Sequence, residues 1–241
     1  MAGLPPALDG LSILHLSDFH AGTPSLNMRA LRKAIDFGVL ARPDLVAVTG
    51  DIVCHPRAIP QVTAELARLS PPLGTFAVTG NHEVASTNDP FSQPVVVEDW
   101  SPAQVELLRD RSATVRHGGV AIEIAGSDAD TWLGEGGKPA ETLFHEAGAF
   151  RILLAHFPDV AARIPMGTSS LVLAGHLHRG QICLPTLTGK RRLSHNRWIF
   201  EEGVIQHGII TVVVSRGTGT TLLPFRFLAR PEACLLRLRP V

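Results

Sequence analysis

Five short polar clusters are spread along this 241-residue chain: Asp18-Phe19-His20, Gly50-Asp51, Gly80-Asn81-His82-Glu83, His156 and Gly175-His176-Leu177-His178. Each contains a side chain able to ligate a metal. Carboxylates at Asp18 and Asp51, an amide at Asn81 and imidazoles at His20, His156, His176 and His178 form a mixed oxygen and nitrogen set without thiolates. Such a set suits Mn, Fe, Zn, Co or Ni and argues against Ca or Mg, which favour all-oxygen shells. Manganese is the expected metal. Seven protein ligands exceed what one ion needs. With Asp51 bridging, they suit two divalent ions roughly 3.5–4 Å apart, the spacing used for phosphoester cleavage. A lone His or Asp at a strand end usually caps or hydrogen-bonds. So many polar groups in one cleft would each need a partner, and a metal pair supplies them.

Rival chemistries find little support. Cys54, Cys183 and Cys234 have no C-x-x-C spacing, and the residues six positions beyond them are Pro60, Gly189 and Pro240, not the Arg of a cysteine phosphatase. No G-x-x-x-x-G-K-[ST] cradle occurs. Asp128-Ala129-Asp130-Thr131 imitates an aspartyl-phosphate motif, but Trp132 stands where Thr or Val belongs, so the pair reads as loop carboxylates. The 22 Lys plus Arg balance 22 Asp plus Glu, which removes the basic excess of a nucleic-acid-coating protein. Three cysteines without a disulfide pattern suggest a reducing compartment, and cytoplasmic location is expected. No secretory leader and no apolar run of transmembrane length are seen.

Short apolar runs precede the clusters: Leu11–Leu16, Leu45–Val48, Thr75–Val78, Ile152–Ala155 and Leu171–Ala174. They read as buried strands. Amphipathic helices are expected at Met28–Leu40 and Val62–Leu69, and Ser101-Pro102 signals a third to about Asp110. A hairpin is expected around Arg116-His117-Gly118-Gly119, loops at Gly126–Pro139 and Pro185–Asn196, and strands again at Ile209–Val214 and Ala233–Leu238. Alternating strand and helix suggests a parallel sheet, whose carboxyl ends gather ligands in one pocket. Glycines before Asp51, Asn81 and His176 are expected to let the backbone turn sharply. Residues 1–10 read as an N-terminal extension and 11–241 as a single domain.

At these clusters the sequence resembles the calcineurin-like metallophosphoesterase superfamily, whose pattern D-x-H, G-D, G-N-H-[DE], H, G-H-x-H is met in order. Leu153–Asp159, Gly180–Pro185 and Arg216–Thr220 are similar to the small bacterial phosphodiesterase branch that includes enzymes hydrolysing UDP-diacylglucosamine. The resemblance implies a mixed α/β fold, a four-layer αββα sandwich of two mixed sheets flanked by helices. It implies one metal on Asp18, His20, Asp51 and His178 and another on Asp51, Asn81, His156 and His176. A hydroxide bridging the ions would attack phosphorus in line, and His82 would stabilise the transition state or protonate the leaving oxygen. Asp51 and His82 are thus the catalytic candidates. The chain lacks tyrosine, so it cannot form the tyrosinate ligand of purple acid phosphatases, which resemble this family.

The leading expectation is a dinuclear phosphodiesterase acting on a phosphoester substrate. Pyrophosphate cleavage of a nucleotide-lipid such as UDP-diacylglucosamine is the runner-up, and a non-catalytic scaffold the reading from another class. The family commonly has Gly where Arg179 stands, so Arg179 either contacts phosphate or faces solvent. Lys190, Arg191 and Arg192 either meet a phosphate or anionic headgroup, with peripheral membrane contact, or are simply solvated. His55 and His195 are candidates for the cleft edge; His15, His117, His145 and His207 read as ordinary.

Overall fold

A computed structural model describes the chain except residues 2, 85, 94, 96–99, 136, 187, 188, 193–198 and 241. Its strands are β1 (Ser12–Leu16), β2 (Leu45–Thr49), β3 (Thr75–Val78), β4 (Val105–Leu107), β5 (Arg111–His117), β6 (Val120–Ser127), β7 (Phe150–Ala155), β8 (Leu171–Ala174), β9 (Cys183–Thr186), β10 (Gly189–Arg192), β11 (Gly203–His207), β12 (Ile210–Val214) and β13 (Cys234–Arg237). Its α-helices are α1 (Asn27–Ala41), α2 (Ile59–Leu66) and α3 (Ala129–Glu135). One sheet has the order β13-β1-β2-β3-β4, parallel except for β13; the other has the order β11-β12-β8-β7-β6-β5, parallel except at its two edges. Both sheets are mixed.

Strands buried on both faces need apolar residues throughout, and every residue of β1, β2, β3 and β8 is buried. Between the sheets pack Ile13, Ala47, Phe76 and Val78 from one and Ile124, Ile152, Leu154 and Leu173 from the other. Full burial of each large aliphatic side chain contributes roughly 1.5–3 kcal/mol. On the outer face of the first sheet, Leu14, Leu16, Val46 and Val48 meet Leu31 and Ile35 of α1 and Val62 and Leu66 of α2. The buried stripe of α1, Leu31, Ala34, Ile35 and Gly38, follows the helical period, and Arg42 in the left-handed region ends the helix. The second sheet's outer face is covered by Leu143, Phe144, Val160 and Ile164. Much of that layer comes from the 3-10 turns Ala140–Thr142 and Pro158–Arg163 rather than long helices.

Three local expectations need correction. The signal at Ser101-Pro102 starts only a 3-10 turn, Ser101–Ala103, because Gln104 takes φ 56°. The chain then forms β4, whose Val105 and Leu107 are buried on either side of exposed Glu106. Within Gly126–Pro139, Asp128 accepts from the backbone of Asp130 at 2.9 Å and starts α3. Asp128 is buried, bonded to Thr79 at 3.0 Å and ion-paired with Arg109, which accounts for it structurally. Inside Pro185–Asn196, Gly189–Arg192 pairs antiparallel with β9.

Candidate metal centre

The loops after β1, β2, β3, β7 and β8 converge. Asp18, His20, Asp51 and His178 offer ligand atoms within 4.8 Å of one another, as do Asp51, His156 and His176. Asp51 belongs to both groups. Its Oδ2 lies 3.5 Å from Nε2 of His20 and 3.3 Å from Nε2 of His156. Oδ1 of Asn81 is 3.1 Å from the same His156 nitrogen, which is also 3.0 Å from Nδ1 of His176. Asp18 Oδ1 is 3.3 Å from Nε2 of His178. Donor atoms separated by about 3 Å match the edges of a coordination shell with bonds near 2.1 Å. The donor set therefore fits two divalent ions.

The backbone is shaped for this convergence. Asp18, His20, Asp51, His176 and His178 all have positive φ, between 46° and 72°. Non-glycine residues take that conformation at a cost, and such strain gathers at functional sites. The glycine expectation holds at Gly50, with φ 82°. At Gly80 and Gly175 the requirement is space instead: a Cβ would lie 2.2 Å from Asp51 Oδ1 and 1.9 Å from Ser17 Oγ, respectively.

Further side chains hold the ligands. Glu83 is buried and accepts backbone N–H groups from Gly80 at 2.7 Å and from Asp51 and Val53 at 2.9 Å, tying two site loops together. Burial and the nearby Asp51 charge push its carboxyl up to about 7. His156 places Nδ1 2.9 Å from the Thr49 carbonyl, which accepts its proton and leaves Nε2 for a metal. Burial works against the His156 cation, yet attraction to Asp51 outweighs it and raises the group to about 9. Burial also opposes ionisation of Asp18, but His178 and His156 hold its carboxyl below the usual range. Burial and the His156 charge push His176 down to about 3. Arg226, itself lowered to about 10 by burial, puts Nη2 3.0 Å from Nδ1 of His178.

His82 sits beside the ligand set, with Nε2 3.9 Å from Asp51 Oδ2 and a backbone N–H donated to Asp51 Oδ1 at 3.0 Å. It lines a cleft together with Asp51, Asn81, His176, His178 and Leu222. Arg179 does not line that cleft; its Nε pairs with Glu202 at 3.2 Å. His55 accepts from the Arg57 backbone at 3.2 Å, capping a 3-10 turn outside the cleft lining. His195 lies outside the described residues. Cys54, 3.1 Å from Nδ1 of both His20 and His82, Ser92, 2.9 Å from Nδ1 of His82, Glu83 and Arg226 also adjoin the site, and the sequence reading does not single them out. Glu83 closes the third cluster and Cys54 stands three residues after Asp51, which are the signals that pointed to them; Arg226 is 48 residues from His178 and leaves none.

Two mixed sheets with this convergent His and Asp set define a metal-dependent phosphoester hydrolase, and the family comparison agrees. The chain belongs to the calcineurin-like phosphoesterase family, whose model matches residues 11–180. It is 30% identical to the uncharacterized metallophosphoesterase YkuE of Bacillus subtilis (strain 168), over 98% of this chain and 82% of that protein. It is 28% identical to phosphodiesterase YaeI of Escherichia coli (strain K12), over 94% of this chain and 81% of the other. UDP-2,3-diacylglucosamine pyrophosphatase LpxG of Chlamydia muridarum is 23% identical over 95% of this chain and 84% of its own. The solved structure of TT1561 of Thermus thermophilus aligns with a TM-score of 0.49 at 18% identity, over 87% of this chain and 90% of that one.

Proposed function

We propose that the chain is a dinuclear phosphodiesterase, with one ion held by Asp18, His20, Asp51 and His178 and the other by Asp51, Asn81, His156 and His176. The sharing of Asp51 between two ligand groups carries this reading. Ions bound there supply a Lewis-acid clamp for phosphoryl oxygens and lower the pKa of bound water. Asp51 fixes the spacing of the two halves, and Glu83 holds the loops that carry it. His82 faces the cleft and donates a hydrogen bond or a proton to the phosphoryl or leaving-group oxygen, a contribution of roughly 10²–10⁴-fold. Manganese suits the mixed donor set. Release of p-nitrophenol from bis-p-nitrophenyl phosphate with added Mn²⁺ tests the reading. Silence with Mn, Fe, Zn, Co and Ni would favour a scaffold.

One observation favours a second reading, cleavage of a nucleotide-lipid pyrophosphate at a membrane surface. Leu222, which lines the cleft, is 54% exposed and continues into exposed Leu223, Phe225 and Phe227. Exposed apolar rims of this kind mark contact with apolar partners. Exposed Leu184 on β9 pairs with Arg191 on β10, where Lys190 and Arg192 also lie. Among the described residues no helix is long and apolar enough to cross a membrane, so contact would be peripheral. Labelled UDP-diacylglucosamine decides it, since absence of UMP release removes this reading.

A further inference from the structure

Sγ of Cys54 lies between two imidazoles, 3.1 Å from Nδ1 of His20 and 3.1 Å from Nδ1 of His82. Oγ of Ser92 is 2.9 Å from the same Nδ1 of His82. Cys54, His20 and His82 are all buried and Ser92 only partly, so the thiol and imidazole protons need partners within the cluster.

The count of protons decides how. His20 giving Nε2 to a metal, on the reading proposed above, must carry its proton on Nδ1 and donate it to Sγ. The thiol and the hydroxyl each bring one further donor. With Nδ1 of His82 as an acceptor, each proton finds a partner: His20 N–H donates to Sγ and S–H to Nδ1 of His82, with the Ser92 hydroxyl a second donor beside that nitrogen. Were Nδ1 of His82 protonated instead, it would donate to Sγ or Oγ, and neither imidazole beside the buried thiol could accept the thiol proton. On its other side, Nε2 of His82 lies 3.3 Å from Thr87 Oγ1 and 3.9 Å from Asp51 Oδ2, oxygens able to accept from an N–H there.

We infer that Cys54 and Ser92 fix His82 as the tautomer protonated at Nε2, so that an N–H donor and not a lone pair faces the cleft. Both are positioning residues acting through His82. The site thereby has a donor ready for an anionic oxygen without first acquiring a proton.

The test uses the full chain labelled with ¹⁵N at histidine and saturated with diamagnetic Zn²⁺. Long-range ¹H–¹⁵N correlations distinguish the two neutral tautomers, with His82→Gln assigning the resonance. Wild type and Cys54→Ser should show His82 protonated at Nε2. The double variant Cys54→Ala with Ser92→Ala should lose that pattern. Its kcat on bis-p-nitrophenyl phosphate should fall about tenfold or more at saturating metal, part of what such a donor supplies, while Cys54→Ser keeps kcat close to wild type. A wild-type His82 protonated at Nδ1 overturns the inference on one spectrum, whatever the variants do. So does a double variant with wild-type spectrum and kcat. An inactive wild type with the Nε2 pattern would sink the hydrolytic reading and leave this one standing.

Discussion

The Nε2 atoms of His20 and His178 face each other at 2.8 Å. Two bare lone pairs would repel at that distance, so one nitrogen carries a proton. A guanidinium only donates; Arg226 Nη2 beside Nδ1 of His178 therefore makes that nitrogen an acceptor and puts the ring's proton on Nε2, aimed at His20. A metal at His178 Nε2 would require that proton to move to Nδ1, away from Arg226, while His156, held up at about 9, has a proton to lose at pH 7. Metal binding is thus expected to release at least one proton per chain and to tighten as pH rises toward 9. Calorimetric titration of the metal-free chain with Mn²⁺, repeated in buffers of different ionisation enthalpy, measures it. Binding with no proton release would contradict the raised state of His156.

His82 supplies a sharper separation of roles. Its ring is close to Asp51 but belongs to neither group of candidate ligands built on that carboxylate. His82→Ala should keep two ions per chain by elemental analysis while kcat drops by about 10²–10⁴. Wild-type turnover would remove His82 from the chemistry; loss of an ion would make it a ligand.

The contrast between the ligand set and its supports shows what is legible in a sequence. Asp18, Asp51, Asn81, His156, His176 and His178 follow apolar runs that became β1, β2, β3, β7 and β8, because strand burial and ligand convergence act at one carboxyl edge. The face of α1 was legible in the spacing of Leu31, Ala34, Ile35 and Gly38. β4 was hidden behind Ser101-Pro102, a real helix-start signal that one residue, Gln104 with positive φ, cancels. α3 was masked by a glycine-rich surrounding, and its start depends on how Asp128 folds back on Asp130. The contacts of Arg226 with His178 and of Cys54 with His82 join residues distant in sequence. No periodicity encodes such contacts, since they form where the segments that follow different strands meet.

His15 makes stability depend on acid. It lies fully buried in β1, with Nε2 2.9 Å from Thr49 Oγ1 and, among the described residues, no partner for Nδ1. Burial pushes it from 6.5 down to about 4, against a smaller pull from Asp18. Between those values the unfolded chain binds a proton that the folded chain refuses, so stability rises with pH across the window and is lost on acidification from 6.5 to 4. The loss is on the order of 3 kcal/mol. His15→Gln keeps a polar group near Thr49 without titrating and should flatten that part of the profile. Urea unfolding of both metal-free proteins at pH 6.5 and 4.5 checks it, and equal acid sensitivity would exclude His15 as the cause.

Gly175 ties the second sheet to the metal site through space rather than conformation. A Cβ there would lie 1.9 Å from Ser17 Oγ and 2.6 Å from Asp18 Oδ2, while the next residue, His176, donates its N–H to both Asp18 oxygens at 3.1 Å. Gly175→Ala must therefore push the end of β8 away from Asp18. Overpacking costs typically about 1–3 kcal/mol, and the displacement separates Asp18 from His178, which its Oδ1 approaches to 3.3 Å. The variant should melt lower and bind fewer than two ions. Adding Ser17→Ala removes the nearest obstacle but leaves the one at Asp18 Oδ2, so the double variant should recover part of the melting temperature without recovering the metal. Stability and ion content recovering together would mean that the obstruction lies at Ser17 alone and that the approach of Gly175 to Asp18 plays no part in holding the site.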